Sequence, residues 1–372
     1  MQKVAIVGCG IVGAMIAYEL SQIPDLSITV FDRQPPAQAA TGAALGVLMG
    51  IISQKTKGRA WAMRQASIQR YVTLIPELEA AIGQSIPYNS QGIVMLRFQE
   101  ARPQTAKPPD WQTLAEIRRA QGWTLELWER DRLQSHCPHI VNPRITGAVY
   151  SPQDAQVDPT ALTLALVAAA QQKGVTFRLD AAVKGFETAC SGLFPRLQFE
   201  TEEIAVDWLI IAAGLGSTLL SQLSPQPIAI QPVLGQALRV QLAQPLGDLA
   251  FQPVISGEDI HIVPLGNNEY WIGATVEFPP HSIPPSTEAI IPDPAYLETV
   301  WQGAIALCPA LADATILETW SGLRPRPQNR PAPIVEPLAG YQQVLLATGH
   351  YRNGVLLAPA TAQQIRAMIT AV

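Results

Sequence analysis

The chain has 372 residues, of which 48% are apolar and 15% charged, and its formal net charge is −5 at pH 7. This length provides for roughly two to three domains with a large buried core, and the composition excludes an intrinsically disordered protein. Nucleic-acid-binding proteins usually carry a basic surface, whereas this chain has a negative net charge. We therefore predict no nucleic-acid partner.

The cysteines and the apolar N-terminus indicate a cytoplasmic chain. The four cysteines are Cys9, Cys137, Cys190 and Cys308. Their spacing matches no zinc or disulfide pattern, which predicts a reducing compartment and no structural metal. No stretch reaches the roughly 18 uninterrupted apolar residues of a membrane span. The apolar residues 4–17 contain three glycines and no cleavage signature, so we interpret them as part of the fold rather than as a signal peptide.

The first 32 residues predict a compact βαβ unit. Residues 4–7 form a β-branched run typical of a buried parallel strand, and residues 14–22 follow a helical pattern. A second strand, residues 27–31, ends at Asp32. Between the first strand and the helix lies the motif G-x-G-x-x-G, whose glycines are Gly8, Gly10 and Gly13.

This glycine motif predicts a dinucleotide site. Its glycines allow a tight turn, close approach of a pyrophosphate and close packing of helix on strand, and the helix N-terminus favours the anion. Asp32 would accept a hydrogen bond from a ribose hydroxyl, which argues against NADP. The motif alone does not decide between FAD and NAD. The Gly/Ala-rich residues 41–47, and Gly214 after a buried strand, favour FAD, although each is also compatible with an ordinary turn.

The remaining elements alternate between helical and strand patterns. Residues 41–50 form a loop that enters a long helix ending near Leu78, and residues 86–142 mix short strands with polar helices. The later predicted elements are a helix at 159–173, a buried strand at 208–213, alternating strands at 235–278, a proline-rich connector at 279–294, a helix at 295–307, a strand at 343–348 and a final helix ending near Ile369. Because βαβ signals sit at both ends and in the middle, we expect two interleaved domains.

Two C-terminal motifs resemble a known family. Residues 347–361, ATGHYRNGVLLAPAT, resemble the signature of the glycine oxidase group in the D-amino acid oxidase family of FAD enzymes. Residues 320–325, WSGLRP, are similar to the carboxylate-binding arginine motif of that family. Residues 262–264, 272–275 and 157–159 also fit, so the resemblance covers nearly the whole chain in the right order.

The resemblance implies an α/β fold with a Rossmann-like FAD-binding domain, interleaved with an α+β substrate domain built on an antiparallel sheet. The implied FAD-binding segments are 1–85, 143–235 and 320–372, and the substrate-binding segments are 86–142 and 236–319. It also implies oxidation of the amine of glycine, sarcosine or a small D-amino acid by dioxygen, giving a 2-oxo acid, ammonia and hydrogen peroxide. In the family, such an imine often enters thiamine biosynthesis.

Combined with the glycine motif, the resemblance implies a set of FAD-contacting residues. They are Gly8, Gly10, Ile11, Val12, Gly13, Asp32, Arg33, Thr41, Gly42, Leu45, Gly46, Val47, Val183, Gly214, Gly349, His350, Tyr351, Arg352, Asn353, Gly354, Val355 and Leu356. The last seven, His350 to Leu356, would face the pyrimidine edge of the flavin, where a helix N-terminus stabilises negative charge.

The implied substrate residues are Arg324 and Arg352 for the carboxylate, with His261, Val47 and Val276 around them. His261 replaces a tyrosine that is usual in the glycine enzymes, and the two valines replace methionines, which puts strict glycine specificity in doubt. Arg324 could instead pair with a surface acid, and His261 could be an ordinary strand histidine. No general base or metal site is predicted, because the flavin carries the chemistry.

Several alternatives stay open at this stage. They are a flavin dehydrogenase that passes electrons to a quinone or carrier, a non-catalytic FAD-binding subunit and an NAD-dependent dehydrogenase. The sequence is compatible with a homo-oligomer and does not reveal the physiological substrate.

Overall fold

The computed structural model describes residues 1–99, 110–188, 194–222, 224–279 and 290–371. Its helices are α1 (Ile11–Leu20), α2 (Gly58–Ile82), α3 (Trp111–Ala120), α4 (Arg130–His136), α5 (Pro159–Gln172), α6 (Ser217–Leu220), α7 (Pro294–Leu307) and α8 (Gly354–Thr370). Cys190 and most of the predicted connector at 279–294 lie outside the described residues. Within the described ranges, no helix is both long and apolar enough to cross a membrane.

The strands divide into four sheets over the described residues. The first nine strands are β1 (Gln2–Val7), β2 (Leu26–Phe31), β3 (Val47–Leu48), β4 (Tyr88–Asn89), β5 (Ile93–Phe98), β6 (Glu126–Glu129), β7 (Ile145–Ser151), β8 (Ala155–Val157) and β9 (Thr176–Arg178). The others are β10 (Gly185–Thr188), β11 (Pro195–Gln198), β12 (Glu203–Ala205), β13 (Trp208–Ile211), β14 (Ile230–Gln241), β15 (Val254–Gly257), β16 (Ile260–Gly266), β17 (Glu269–Gly273), β18 (Thr315–Pro327), β19 (Ile334–Pro337) and β20 (Val344–Thr348).

The six-stranded sheet has the order β19-β20-β13-β1-β2-β9 and is parallel except for its edge strand β19. Its central strands are continuous apolar runs because helices cover the sheet. Helix α1 packs against α5 and α8, in one core with residues of β1, β2, β13 and β20. The carboxyl ends of these four strands meet at one edge, which is where ligands bind in open parallel sheets.

The eight-stranded sheet has the order β18-β14-β17-β16-β15-β5-β7-β6 and is antiparallel except for the β5–β15 pair. One face forms a second core with α4 and α7. The other face packs against the segment that contains Leu45, Val47 and Met49. The predicted α/β class, with a Rossmann-like part and an antiparallel part interleaved along the chain, is confirmed. The smaller sheets are β3-β8-β4 and β10-β11-β12.

Strand pairing crosses the predicted segment boundaries. Strand β7 hydrogen-bonds to β5 and β6 in the eight-stranded sheet, although it lies within the predicted FAD-binding segment 143–235. Strands β14 and β18 also run across the predicted boundaries near 235 and 320, because they pair with each other over twelve residue positions. The division into two domains remains a proposal.

Helix α2 begins later than predicted, because a buried carboxylate holds the preceding loop. Asp154 is fully buried and accepts hydrogen bonds of 2.8 Å from the backbone N–H groups of residues 50–52. The helix therefore starts only at Gly58, and it continues beyond Leu78 to Ile82. There Gly83 ends it with a φ of +68°, a left-handed conformation that favours glycine.

Arg118 holds the same loop from the other side. Its side chain is fully buried, and it donates to the backbone carbonyls of Ile51 (2.7 Å), Ser53 (2.7 Å) and Lys55 (2.8 Å). Its guanidinium also stacks on the Trp61 ring, 3.6 Å from the centroid. We call residues 50–55 the clamped loop, because two buried charges fix its backbone directly after β3.

Candidate functional site

The glycine motif forms a turn that excludes side chains. Gly8 has a φ of +109°, and a Cβ atom there would lie 2.4 Å from the carbonyl oxygen of Ala212. A Cβ at Gly13 would lie 1.9 Å from the carbonyl oxygen of Gly8. The predicted strand at 208–213 ends at Ile211, because the segment after it packs on Gly8. This packing places Ala212 and Ala213, the two residues before Gly214, against the motif.

The N-terminus of α1 fits a phosphate. Gly10 caps the helix with no side chain, which leaves the amide end of the helix accessible. Thr41 is buried beside it and accepts a hydrogen bond of 3.0 Å from the Ile11 amide. The loop around Thr41 therefore lies against the start of the helix, next to Val12.

Asp32 is fixed at the end of β2. Its Oδ2 accepts from the Cys9 amide at 2.6 Å and its Oδ1 from the Gln34 amide at 3.0 Å. Because a carboxylate has about four acceptor positions, lone pairs remain for ribose hydroxyls. The neighbouring Arg33 side chain is exposed.

The C-terminal motif forms a strained turn into α8. Gly349 has a φ of +66°, where a Cβ would lie 2.7 Å from the Pro327 ring, and Tyr351 has a φ of +54°. Asn353 precedes α8 without a side-chain cap, so a helix N-terminus faces the site. Non-glycine residues with positive φ cluster at ligand sites, where surrounding structure holds them in place.

Some predicted cofactor residues contribute only their backbone. His350 is buried, and its Nε2 lies 2.9 Å from the Thr361 hydroxyl. Burial and then Arg59 lower the pKa of His350 to about 3, so this histidine is a neutral packing residue. The side chains of Val355 and Leu356 are also buried.

The glycines of the 41–47 loop serve close packing. A Cβ at Gly42 would lie 2.3 Å from the Ala37 carbonyl oxygen, and one at Gly46 would lie 1.7 Å from that of Val157. Gly214 has a φ of +56° with open space in front of it. Val183 is half-buried beside the core under β1 and β13.

Arg324 is half-buried on β18. Its Nη1 donates to the backbone carbonyls of Leu234 (3.1 Å) and Thr275 (2.9 Å). No ion pair within 4.0 Å involves it among the described residues. Burial, followed by the charge of Arg352, lowers the pKa of Arg324. Since both Nη1 hydrogens are used, Nε–H and Nη2 remain for an anion.

Gly235 supports Arg324 and was missed by the sequence reasoning. A Cβ at Gly235 would lie 2.2 Å from Nη2 and 2.4 Å from Cζ of Arg324, so the guanidinium lies directly on this glycine. Gly322 is its partner across the strands, and a Cβ there would lie 2.3 Å from that of Ala43. Glycine inside a strand is a signal of close approach, and it could have identified both residues.

The other substrate residues lie beside Arg324. The His261 side chain is on β16, and its Nδ1 is buried with no hydrogen-bond partner among the described residues. Burial and then Arg352 lower the pKa of His261 to about 4, so the ring is neutral at physiological pH. Arg352 pairs with Asp259, with 3.0 Å between Nη2 and Oδ1. Arg324, Arg352 and His261 therefore form one electrostatic cluster, as the sequence predicts.

The two valines are half-buried near this cluster. Val47 packs in an apolar group with Leu45, Trp271 and Trp320, on the sheet face that carries Arg324. Val276 directly follows Thr275, whose carbonyl holds Arg324. Their roles as pocket walls stay a prediction.

These features together fit FAD. A dinucleotide would be held by turns that lack side chains, by a carboxylate at a strand end and by two uncapped helix N-termini. The Arg324 cluster would lie beside the ring of this cofactor. The described residues contain no group of three or more His, Cys, Asp or Glu side chains that could hold a metal ion.

Comparisons with known proteins agree with this geometry. The bifunctional protein ThiO/ThiG of Nostoc sp. is 31% identical over 99% of this chain, and the glycine oxidase of Bacillus subtilis is 24% identical over 99% of the chain and 92% of its own length. The chain spans about half the length (52%) of the Nostoc protein. The crystal structure of glycine oxidase from Geobacillus kaustophilus superposes with a TM-score of 0.87 at 24% identity, over 100% of this chain and 95% of that one.

The family comparison decides the open question of FAD or NAD. The family described as DAO, FAD dependent oxidoreductase, matches residues 3–368. The cofactor is therefore FAD, and the alternative of an NAD-dependent dehydrogenase is wrong. The chain belongs to this family of FAD-dependent oxidoreductases.

Proposed function

We propose that the chain is an amino acid oxidase that acts on glycine or another small amino acid, such as sarcosine or a D-amino acid. Dioxygen is the electron acceptor and is reduced to hydrogen peroxide, and water hydrolyses the imine product to a 2-oxo acid and ammonia, or methylamine when the substrate is sarcosine. The observation that carries the proposal is the half-buried Arg324 guanidinium, which donates to two main-chain carbonyls and has no acid within 4.0 Å in the part of the chain that the structure describes. A buried cation without an anion is costly, and a substrate carboxylate would satisfy it.

The residues of the chain bind and orient the substrate. Nε–H and Nη2 of Arg324 would take the carboxylate with two parallel hydrogen bonds, and Gly235 keeps the guanidinium in place. The backbone turn before α8 presents a helix N-terminus, which stabilises negative charge on a bound group. When bound, FAD supplies the two-electron oxidation of the amine.

His261 contributes a neutral hydrogen-bonding group. Because its pKa is lowered to about 4, its protonation does not change over the alkaline range in which a substrate amine becomes neutral. Activity should therefore rise with pH as the amine loses its proton, with no contribution from His261. The lone buried Nδ1 supports a contact with a ligand rather than a role in strand packing.

The pocket is expected to hold more than glycine. Val47 and Val276 are shorter than methionine, and one methylene in an apolar pocket changes selectivity by roughly 10- to 200-fold. We therefore propose that sarcosine or a small D-amino acid is oxidised at least as well as glycine. Efficient turnover of glycine alone would contradict this proposal.

The decisive experiment is a substrate panel on the purified, FAD-loaded protein. Flavin bleaching is recorded without oxygen, and peroxide is measured in air. Bleaching with peroxide supports the oxidase. Bleaching without peroxide would instead identify a dehydrogenase with a quinone or carrier as acceptor. No bleaching with any amine would identify a non-catalytic FAD-binding subunit.

We further propose that the reaction takes place in the cytoplasm and supplies an imine for thiamine biosynthesis. Cys9, Cys137 and Cys308 are free and buried, as expected of a chain in a reducing compartment. The similarity to proteins named ThiO/ThiG supports the thiamine role.

A further inference from the structure

We propose that Asp259 sets the preference of the substrate site for zwitterionic amino acids over simple carboxylates, by its ion pair with Arg352. This inference rests on the proposed function. Arg352 lies in the turn before α8, and Asp259 lies in the tight turn between β15 and β16. Their ion pair, with 3.0 Å between Nη2 of Arg352 and Oδ1 of Asp259, links these two turns. The pair is open to water, because the side chain of Arg352 is 38% exposed and that of Asp259 is 72% exposed.

The charges of this ion pair act on the part of the site where Arg324 would bind the substrate carboxylate. Arg352 lowers the pKa of both Arg324 and His261, and Asp259 raises that of His261, so the Arg352–Asp259 pair lies within range of the site that Arg324 and His261 share. An arriving carboxylate therefore meets two cations and one acid. Asp259 weakens the attraction for the carboxylate and favours an ammonium group on the same ligand.

The turn holds Asp259 in this position. Glu258 and Asp259 have φ values of +50° and +64°, the two left-handed positions of a two-residue hairpin turn. Such turns accept asparagine as readily as aspartate, so the backbone does not require the negative charge. The charge can therefore be removed without disturbing the turn.

The neighbouring acid provides a matched control. Glu258 sits in the same turn with the same charge, but it pairs with Arg144, with 2.6 Å between Nη2 and Oε1. Glu258→Gln and Asp259→Asn thus change the net charge equally, at adjacent positions of the same turn. Only Asp259→Asn frees Arg352.

The test is a titration of the FAD-loaded protein with acetate at about pH 8, followed by flavin absorbance. In about 0.02 M salt, Asp259→Asn should lower the dissociation constant of acetate roughly two- to fivefold, the effect of one exposed ion pair. The Michaelis constant for the amino acid should change less, because the ammonium group loses a favourable partner. Glu258→Gln should stay within about 1.5-fold of the parent. In about 0.5 M salt the difference should shrink, since exposed charges are screened.

Equal acetate affinities of Asp259→Asn and Glu258→Gln would overturn the inference, and so would a difference that salt does not reduce. Asp259→Gly is a second variant that keeps the left-handed turn if the first fails to fold. If acetate does not perturb the flavin of the parent and no amino acid bleaches it, the proposed function fails together with this inference. If acetate perturbs the flavin of the parent but the two variants have equal acetate affinities, only the proposed role of Asp259 is wrong.

Discussion

Arg324 carries the charge on which the proposed chemistry depends. Arg324→Ala removes the cation that would pair with the substrate carboxylate, a loss of roughly 3–5 kcal/mol for a buried pair. We expect kcat/KM for an amino acid to fall by roughly two to three and a half orders of magnitude, with flavin content unchanged. Arg330→Ala is the control, because Arg330 pairs with Glu336 on the surface. If Arg324→Ala stays within about threefold of the parent, Arg352 becomes the candidate anchor.

Gly235 tests whether the position of that cation matters. In Gly235→Ala, the new methyl group would overlap the guanidinium, so Arg324 must shift. We expect kcat/KM to fall roughly 10- to 100-fold, because a displacement of about 1 Å can cost about 100-fold. Gly185→Ala is a matched control in strand β10, where the nearest atom would be 3.3 Å away at the end of the Gln198 side chain. Equal kinetics of the two variants would show that the guanidinium has freedom to move.

At the scale of elements, the clamped loop determines where β3 and its Val47 lie. Arg118→Met removes the donor from three backbone carbonyls, of which that of Ile51 is buried and costs roughly 1–3 kcal/mol when left without a partner. We expect a large loss in the free energy of unfolding, and Arg118→Lys should restore little of it, because an ammonium cannot reproduce the planar fork. Arg119→Met, on the exposed side of the same helix, should change stability by less than about 0.5 kcal/mol. Chemical denaturation measures all three variants.

The clamped loop also marks the limit of sequence-based prediction. The glycine motif, Asp32 and the C-terminal turn were predictable, because each is defined by residues close together in the chain. Asp154 and Arg118 were not, since they act on a loop 63 to 104 residues away. The same is true of Gly235, whose partner Arg324 is 89 positions along the chain (324 − 235).

At the scale of the whole molecule, three buried histidines should make the protein sensitive to acid. The pKa values of His139 and His261 are lowered to about 4, and that of His350 to about 3, in each case mainly by burial. In the unfolded chain they bind protons near pH 6.5. Between about pH 6.5 and 4 the unfolded state therefore binds more protons, and the free energy of unfolding falls as pH falls.

One acid opposes this trend. Burial raises the pKa of Asp154 to about 6, so the folded state takes up this proton first and gains stability on acidification. Because three histidines lower the free energy of unfolding on acidification and only one aspartate raises it, the free energy of unfolding still falls as pH falls. His350→Gln should reduce the slope of stability against pH by about one proton, or roughly 1.4 kcal/mol per pH unit. Denaturation at about pH 7.5 and 5 would contradict the prediction if the protein were more stable in acid.

The position of β20 and α8 late in the chain has a consequence for synthesis on the ribosome. Strand β1 lies in the middle of the parallel sheet, but its neighbour β13 pairs on the other side with β20, and α8 packs on α1. A nascent chain therefore holds the glycine motif from the outset, but the predicted cofactor residues 349–356 emerge more than 300 residues later. If these residues hold the flavin as proposed, peroxide-forming chemistry would have to wait until they have emerged and paired with the rest of the sheet.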